Sequence, residues 1–278
     1  MKLLRIILRI RRLRKRYKNF LKEGTNLALK DKLNLLANTP HAPVLRILGN
    51  GSSINNYEFN IDSGIDYIVV NRFVLSETYD RIKPKYYVIA DPDFFFIPEY
   101  FKIFEKINDR TDWDMIFFVP DKFKSEKLNR TFTNSKIKLH YFNHYNYYGP
   151  EDKRIFCYDH NLAMPNVQNV VVAAISIGLA IRYKTIELFG VEHDWTKFIF
   201  VNDRNQTCIY DHHFYDNEKV SWTVFKKNMK MHEVLYMLAP MFESYWELKG
   251  LSDRYGVKII NYTEGSFIDA FERKDFSR

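Results

Sequence analysis

From residue 44 onward, short apolar runs closed by polar stops recur along the chain. Val44 to Leu48, Asp66 to Val70, Tyr86 to Ala90, Met115 to Val119 and Thr185 to Phe189 are five residues each. All are rich in β-branched and aromatic residues, and each ends on Gly, Asn, Asp or Pro. Runs of this length without strict alternation mark strands buried on both faces of a parallel sheet. Helical stretches fall between them: one after Asn71 that reaches Pro84, an aromatic one from Phe94 to Asn108, and a buried one of small and β-branched residues from Asn166 to Tyr183. A long helix opens at Met231 and ends at Gly256, a fitting C-cap, before a strand from Val257 to Asn261. Strand alternating with helix predicts an α/β fold with a doubly wound, mostly parallel sheet. Residues 122 to 165 are less regular and carry YFNHYNYYG at 141 to 149, with His140, His144 and His160 around it. Those spacings match no zinc pattern, and the aromatics read as packing residues.

The chain has 278 residues, 46% hydrophobic and 17% aromatic, enough for one large core or two small ones. Cys157 and Cys208 form neither a disulfide framework nor a CxxC pair, which suits a reducing compartment. The net charge of +8 resembles a nucleic-acid signal until it is located. Ten of the Lys and Arg residues lie in residues 1 to 22, a stretch with no acid, and the remainder holds 32 basic against 34 acidic residues. A neutral body lacks the basic, aromatic-studded face of a nucleic-acid binder. Leu3, Ile6, Ile7, Ile10, Leu13, Tyr17, Phe20 and Leu21 recur at helical spacing among those bases. The segment is too charged to span a bilayer and has no cleavage-site pattern of a secretory signal. A basic amphipathic helix on an anionic cytoplasmic leaflet fits it best; a solvated helix packed on its own domain and a nucleic-acid arm are the other readings. Residues 1–40 therefore form a basic helix and linker, and residues 41–278 the main domain.

The polar stops hold the candidate chemistry. Gly49, Asn50 and Gly51 follow the first strand directly, with Ser52 and Ser53 behind them. Glycines permit positive φ and close backbone approach, and free N–H groups there would face an anion; a plain tight turn is the alternative. The turn is neither GxGxxG nor a P-loop. Asn71 and Arg72 close the second strand, at the edge where open α/β sheets bind ligands. Asp91 and Asp93 after the third strand have DxD spacing, which reads either as a divalent-cation clamp or as a strand-end turn. Asn166, Gln168 and Asn169 open the buried helix, whose first amides could point at an anion. Gly190, Val191, Glu192, His193, Asp194 and Trp195 make a dense polar end to the strand at 185–189. Thr263, Glu264, Gly265 and Ser266 sit at another strand end, where Ser266 either contacts a nucleotide or caps a helix.

Four of these landmarks occur in order: GNGSS after the first strand, Asn71 after the second, Asp91-Pro92 after the third, and a small-residue helix followed by YKTIELFGVEHDW. In this the chain resembles the bacterial sialyltransferases of glycosyltransferase family 42 and their relatives, over roughly residues 44 to 270. The resemblance implies a single Rossmann-like domain, a variant of the GT-A type, with a lid at about 196–231. It also implies inverting transfer from a CMP-activated donor without a metal or other cofactor. By this likeness Gly49, Asn50, Gly51, Ser53 and Asn71 contact CMP, and Asp91 replaces a family Asn. Gln168 and Asn169 replace a Ser-Gly pair that touches the donor carboxylate, and Asp194 or Trp195 replaces a phosphate-binding Tyr. These departures bear on the sugar more than on the fold. Gly190 and Glu192 complete the nucleotide edge, and Tyr210 and Tyr215 are lid hydroxyls for phosphate or acceptor. His232 is the nearest match to the family's catalytic base, with Glu233 to orient it and His212 and His213 as rivals.

The sequence therefore leads us to expect a metal-independent, inverting glycosyltransferase. It would move sialic acid or another acidic sugar from a CMP donor to a glycan or lipid-linked acceptor, as in lipopolysaccharide or capsule assembly. It would be cytoplasmic and peripheral at the inner face of the plasma membrane, attached to anionic lipid through residues 1–22. No nucleic-acid partner is expected, and a homo-oligomer stays open. The alternatives are a metal-dependent UDP- or GDP-sugar transferase using Asp91 and Asp93, and a non-catalytic nucleotide-binding protein at the membrane.

Overall fold

The computed structural model describes residues 25–211, 221–225 and 228–276, together with Arg11, Lys15 and Phe20. The amphipathic segment 1–22 is thus almost wholly outside the described residues, as are His212, His213 and Tyr215. The strands are β1 (Val44–Leu48), β2 (Ile65–Val70), β3 (Tyr86–Val88), β4 (Met115–Pro120), β5 (Ile137–Phe142), β6 (Thr185–Phe189), β7 (Ile199–Val201), β8 (Thr207–Asp211), β9 (Ser221–Val224), β10 (Lys258–Asn261) and β11 (Glu272–Arg273). The helices are α1 (Lys32–Ala37), α2 (Thr78–Ile82), α3 (Asp93–Phe96), α4 (Pro98–Arg110), α5 (Glu126–Thr131), α6 (Glu151–Asp159), α7 (Val170–Ile181) and α8 (Met231–Tyr255).

Eight strands form one sheet in the order β11-β10-β6-β1-β2-β3-β4-β5. Every pairing in it is parallel. Both faces of the central strands β2, β3 and β4 are mostly buried, so their side chains are largely apolar on either side. Leu45 and Ile47 of β1, Ile68 and Val70 of β2, and Ile186 and Leu188 of β6 face a core shared with α7 and α8. Tyr67, Val69, Tyr87, Ile89 and Phe117 face the opposite core, with Phe101, Phe104 and Ile107 of α4. This is a mixed α/β architecture with a large parallel sheet between helices, compatible with a Rossmann-like fold. β7, β8 and β9 form a separate antiparallel sheet inside the segment expected to be a lid.

Three local expectations change. The aromatic helix expected at 94–108 is two helices, because Pro98 begins α4 and drives Ile97 into the extended region (φ −94°, ψ 118°). The stretch 122–165 contains α5, the edge strand β5 and α6. β5 escapes pattern reading because an edge strand with mixed burial shows neither a continuous apolar run nor clean alternation. α7 starts at Val170, with Asn169 as its N-cap, so the polar residues before it lie outside the helix.

α7 approaches the sheet closely at Gly178. A β-carbon there would lie 2.7 Å from Cδ2 of Leu45 and 3.0 Å from Cδ1 of Ile186. We expect Gly178→Val to lower stability by about 1–3 kcal/mol through overpacking, seen as a lower urea midpoint with an unchanged slope.

Candidate active-site cleft

The order of strands reverses at β1: the chain leaves toward β2 on one side and returns through β6 on the other. Ligands bind open α/β sheets at that point, outside the carboxyl ends of the strands. A cleft of about 910 Å³ opens there. Gly49 to Ser52 line it from the end of β1, Asn71 from β2, Asp91 and Pro92 from β3, and Gly190 with Glu192 to Trp195 from β6. Gln168 and Asn169 close it from the start of α7.

The glycines are where close approach demands them. The N–H of Gly49 donates to Phe189 O (2.8 Å) and that of Gly51 to Gly190 O (2.9 Å), which extends the β1–β6 pairing beyond both strands. A β-carbon on Gly49 would lie 2.1 Å from Gly190 O, and Gly190 itself has φ +64°. Asn50 donates through Nδ2 to Val70 O (2.9 Å), tying the turn to β2.

The anion position at this turn is taken by the protein itself. Glu192 Oε1 accepts from the N–H of Ser53 at 2.7 Å, and a β-carbon on Gly51 would fall on the same carboxylate. Its Oε2 is buried without a hydrogen-bond partner, as are Oδ1 of Asn71, Oγ of Ser53 and Nδ2 of Asn169. Asn71 has φ +52°. Its N–H donates to Val88 O and its carbonyl accepts from the Tyr87 hydroxyl. Asp91 Oδ1 accepts from the N–H of Asp93, the strand-end turn anticipated as one of its two readings. Among the described residues no group of three or more His, Cys, Asp or Glu could hold a metal ion.

Of the twelve residues nominated as nucleotide contacts, nine line the cleft: Gly49, Asn50, Gly51, Asn71, Asp91, Gln168, Asn169, Gly190 and Glu192. Ser53 is buried beneath the turn. Ser266 is buried too, donating to Val191 O (2.8 Å) and accepting from Asn261 Nδ2 (2.9 Å) and the Ile268 amide, so it fastens the loops after β6 and β10. Tyr210 is exposed on β8 and stacks on Phe200 at 4.6 Å, away from the cleft lining.

The first amides of α7 are not free to receive an anion, because Asn169 Oδ1 accepts from the N–H groups of Val171 (2.9 Å) and Val172 (3.2 Å). His232 sits exposed on the first turn of α8 and does not line the cleft. Tyr245, which touches the cleft residues His193 and Asn169 from behind, lies thirteen residues further along the helix, about 20 Å at 1.5 Å per residue. Glu233 does not orient His232: its carboxylate accepts from the Lys230 N–H (2.8 Å) and caps the helix.

The histidine that the cleft does contain is His193. Its Nδ1 is 2.8 Å from the Tyr245 hydroxyl, and that hydroxyl is 3.1 Å from Asn169 Oδ1. The ring stacks on Trp195 at 4.7 Å. Its position within GVEHDW gave a signal, since a polar cluster follows a buried strand there. Only the approach of α8, fifty-two residues away, singles it out.

Among the described residues, Asp91, Glu192 and Asp194 line the cleft and no Lys or Arg does, although Lys197 pairs with Asp194 at 3.1 Å. No family model, curated protein or solved structure matches the chain. The fold and the cleft thus define the class, an α/β protein with an open cleft at the switch point of a parallel sheet.

Burial pushes His193 down to about 3, with His144 also at about 3 and His140 at about 4, where Lys122 and Lys32 with Lys138 add to burial. These rings stay neutral in the folded chain while an unfolded His takes up a proton near pH 6.5. Stability is therefore fully present above about pH 6.5 and lost as pH falls toward 4. We expect the unfolding free energy from urea melts at pH 5 to lie below that at pH 7, by up to about 2 kcal/mol for each ring, and His193→Gln to remove one share of that difference.

Proposed function

We propose that the protein is an inverting glycosyltransferase that takes its sugar from a CMP-activated donor. The convergence of nine nominated residues on one switch-point cleft is the observation that carries this reading. A cleft of about 910 Å³ suits a nucleotide bearing a sugar. Trp195 and Phe198 give it a flat apolar wall, and Asn50, Asn71, Gln168 and Asn169 give it uncharged hydrogen-bonding groups. In the transfer, the acceptor oxygen bonds to the anomeric carbon as the carbon–oxygen bond to CMP breaks on the opposite face. CMP leaves with that bond's electron pair, and the acceptor's proton passes to a base. The segment 196–231 would close over the donor and exclude water. Residues 1–22 would hold the enzyme at an anionic cytoplasmic surface, next to a lipid-linked acceptor.

A second reading, a metal-dependent UDP- or GDP-sugar transferase, is favoured by one observation: among the described residues three carboxylates and no Lys or Arg line the cleft, so a diphosphate would call for a cation brought with it.

A thermal-shift titration with CMP, UMP, UDP and GDP, each with Mg²⁺ or EDTA, separates the two. A ligand at one hundred times its Kd adds about 2.7 kcal/mol. We expect CMP to raise the melting temperature equally in Mg²⁺ and EDTA; a rise with UDP or GDP that requires Mg²⁺ would move the assignment to the metal-dependent reading.

A further inference from the structure

Asn169 fixes more than the start of α7. Its Oδ1 accepts from two backbone N–H groups, those of Val171 and Val172, and this identifies the atom as the amide oxygen. The Tyr245 hydroxyl, 3.1 Å from the same oxygen, has one proton to give. If that proton pointed at His193, two oxygens would face each other across 3.1 Å with no hydrogen between them. It therefore lies toward Asn169. Tyr245 then presents a lone pair to Nδ1 of His193 at 2.8 Å, and Nδ1 must carry the ring proton. The remaining nitrogen, Nε2, is unprotonated and has no hydrogen-bond partner among the described residues. His193 lines the cleft, and its Nδ1 edge is turned to α8, so the Nε2 edge is the one left to a ligand.

Resting on the transferase reading, we propose that His193 is the group that takes the acceptor hydroxyl's proton, held for that task as the Nδ1–H tautomer by Tyr245 and Asn169. The proton of the acceptor O–H passes to Nε2, the freed oxygen pair forms the new bond to the anomeric carbon, and CMP departs with the electrons of the broken one. The ring is left protonated on both nitrogens, its Nδ1–H still accepted by Tyr245. Glu192 and Asp194 flank it in sequence and line the same cleft. Tyr245 and Asn169 touch no reacting atom and are positioning residues.

The test has two readouts. Nitrogen-15 spectra of histidine-labelled protein report the tautomer directly: a signal from an Nδ1–H ring, absent in His193→Asn, is expected, and an Nε2–H ring at His193 overturns the proposal. Tyr245→Phe removes the accepting oxygen and is expected to shift the ring to the Nε2–H form. Turnover with CMP-N-acetylneuraminate and a galactoside acceptor supplies the second readout. His193→Asn keeps a donor where Nδ1 was but lacks Nε2, whereas a purely structural role needs only that donor. The expected loss in kcat is about 100-fold or more with donor KM little changed, and wild-type kcat in this variant overturns the proposal. A wild-type protein that transfers nothing sinks the transferase reading instead; the tautomer still decides the state of His193.

Discussion

Everything at the cleft depends on how β1 and β6 end. Their parallel pairing does not stop with the last strand residues but runs on through Gly49, Gly51 and Gly190, with backbone N–H groups meeting carbonyls at 2.8 and 2.9 Å. No side chain fits between them, since a β-carbon on Gly49 would fall 2.1 Å from a carbonyl oxygen. Because the two chain directions diverge at this pair, the gap above it is where the sheet leaves room for a ligand. The glycines here serve the close approach of two backbones, and the turn that results is lined by a protein carboxylate instead of standing open to phosphate.

That carboxylate, Glu192, changes the electrostatic picture of the site. A glycine turn at a strand end is ordinarily a place for an anion, because unsatisfied N–H groups point outward. Here the Ser53 amide is satisfied by Glu192, and one carboxylate oxygen remains buried with nothing to bind. Buried acceptors without partners are costly and rare, and they cluster at functional sites. Oε2 of Glu192, Oδ1 of Asn71 and Nδ2 of Asn169 are buried around one cleft with no partner among the described residues. Together they give the cleft two acceptors and one amide donor.

A second dependency runs through Asn169. One amide oxygen caps α7, receives the Tyr245 hydroxyl and so sets the proton on His193, linking two helices to the loop after β6. Tyr245 is fully buried and its hydroxyl titrates well above its ordinary range, so the link stays protonated and uncharged. A hydrogen-bond chain with a fixed direction in a dry setting transmits orientation without carrying charge.

The sheet was legible in the sequence because buried parallel strands leave continuous apolar runs: β1 and β6 fall on the expected residues, and β2 and β4 lie within one residue of them. The polar residues after each run were legible for the same reason, since a strand that ends at a ligand edge must change composition there. The edge strand β5 and the small sheet β7-β8-β9 were not, because their side chains are only partly buried and leave no periodicity. The chain by itself determined the alternation of strands and helices and which residues stand at the strand ends, through local propensity and burial. Tertiary structure alone decided which of those ends share a cleft, that Glu192 fills the glycine turn, and that α8 brings Tyr245 to His193 while His232 lies thirteen residues back along that helix. Those are contacts between residues dozens to more than a hundred positions apart, fixed by packing across the sheet and written in no local pattern.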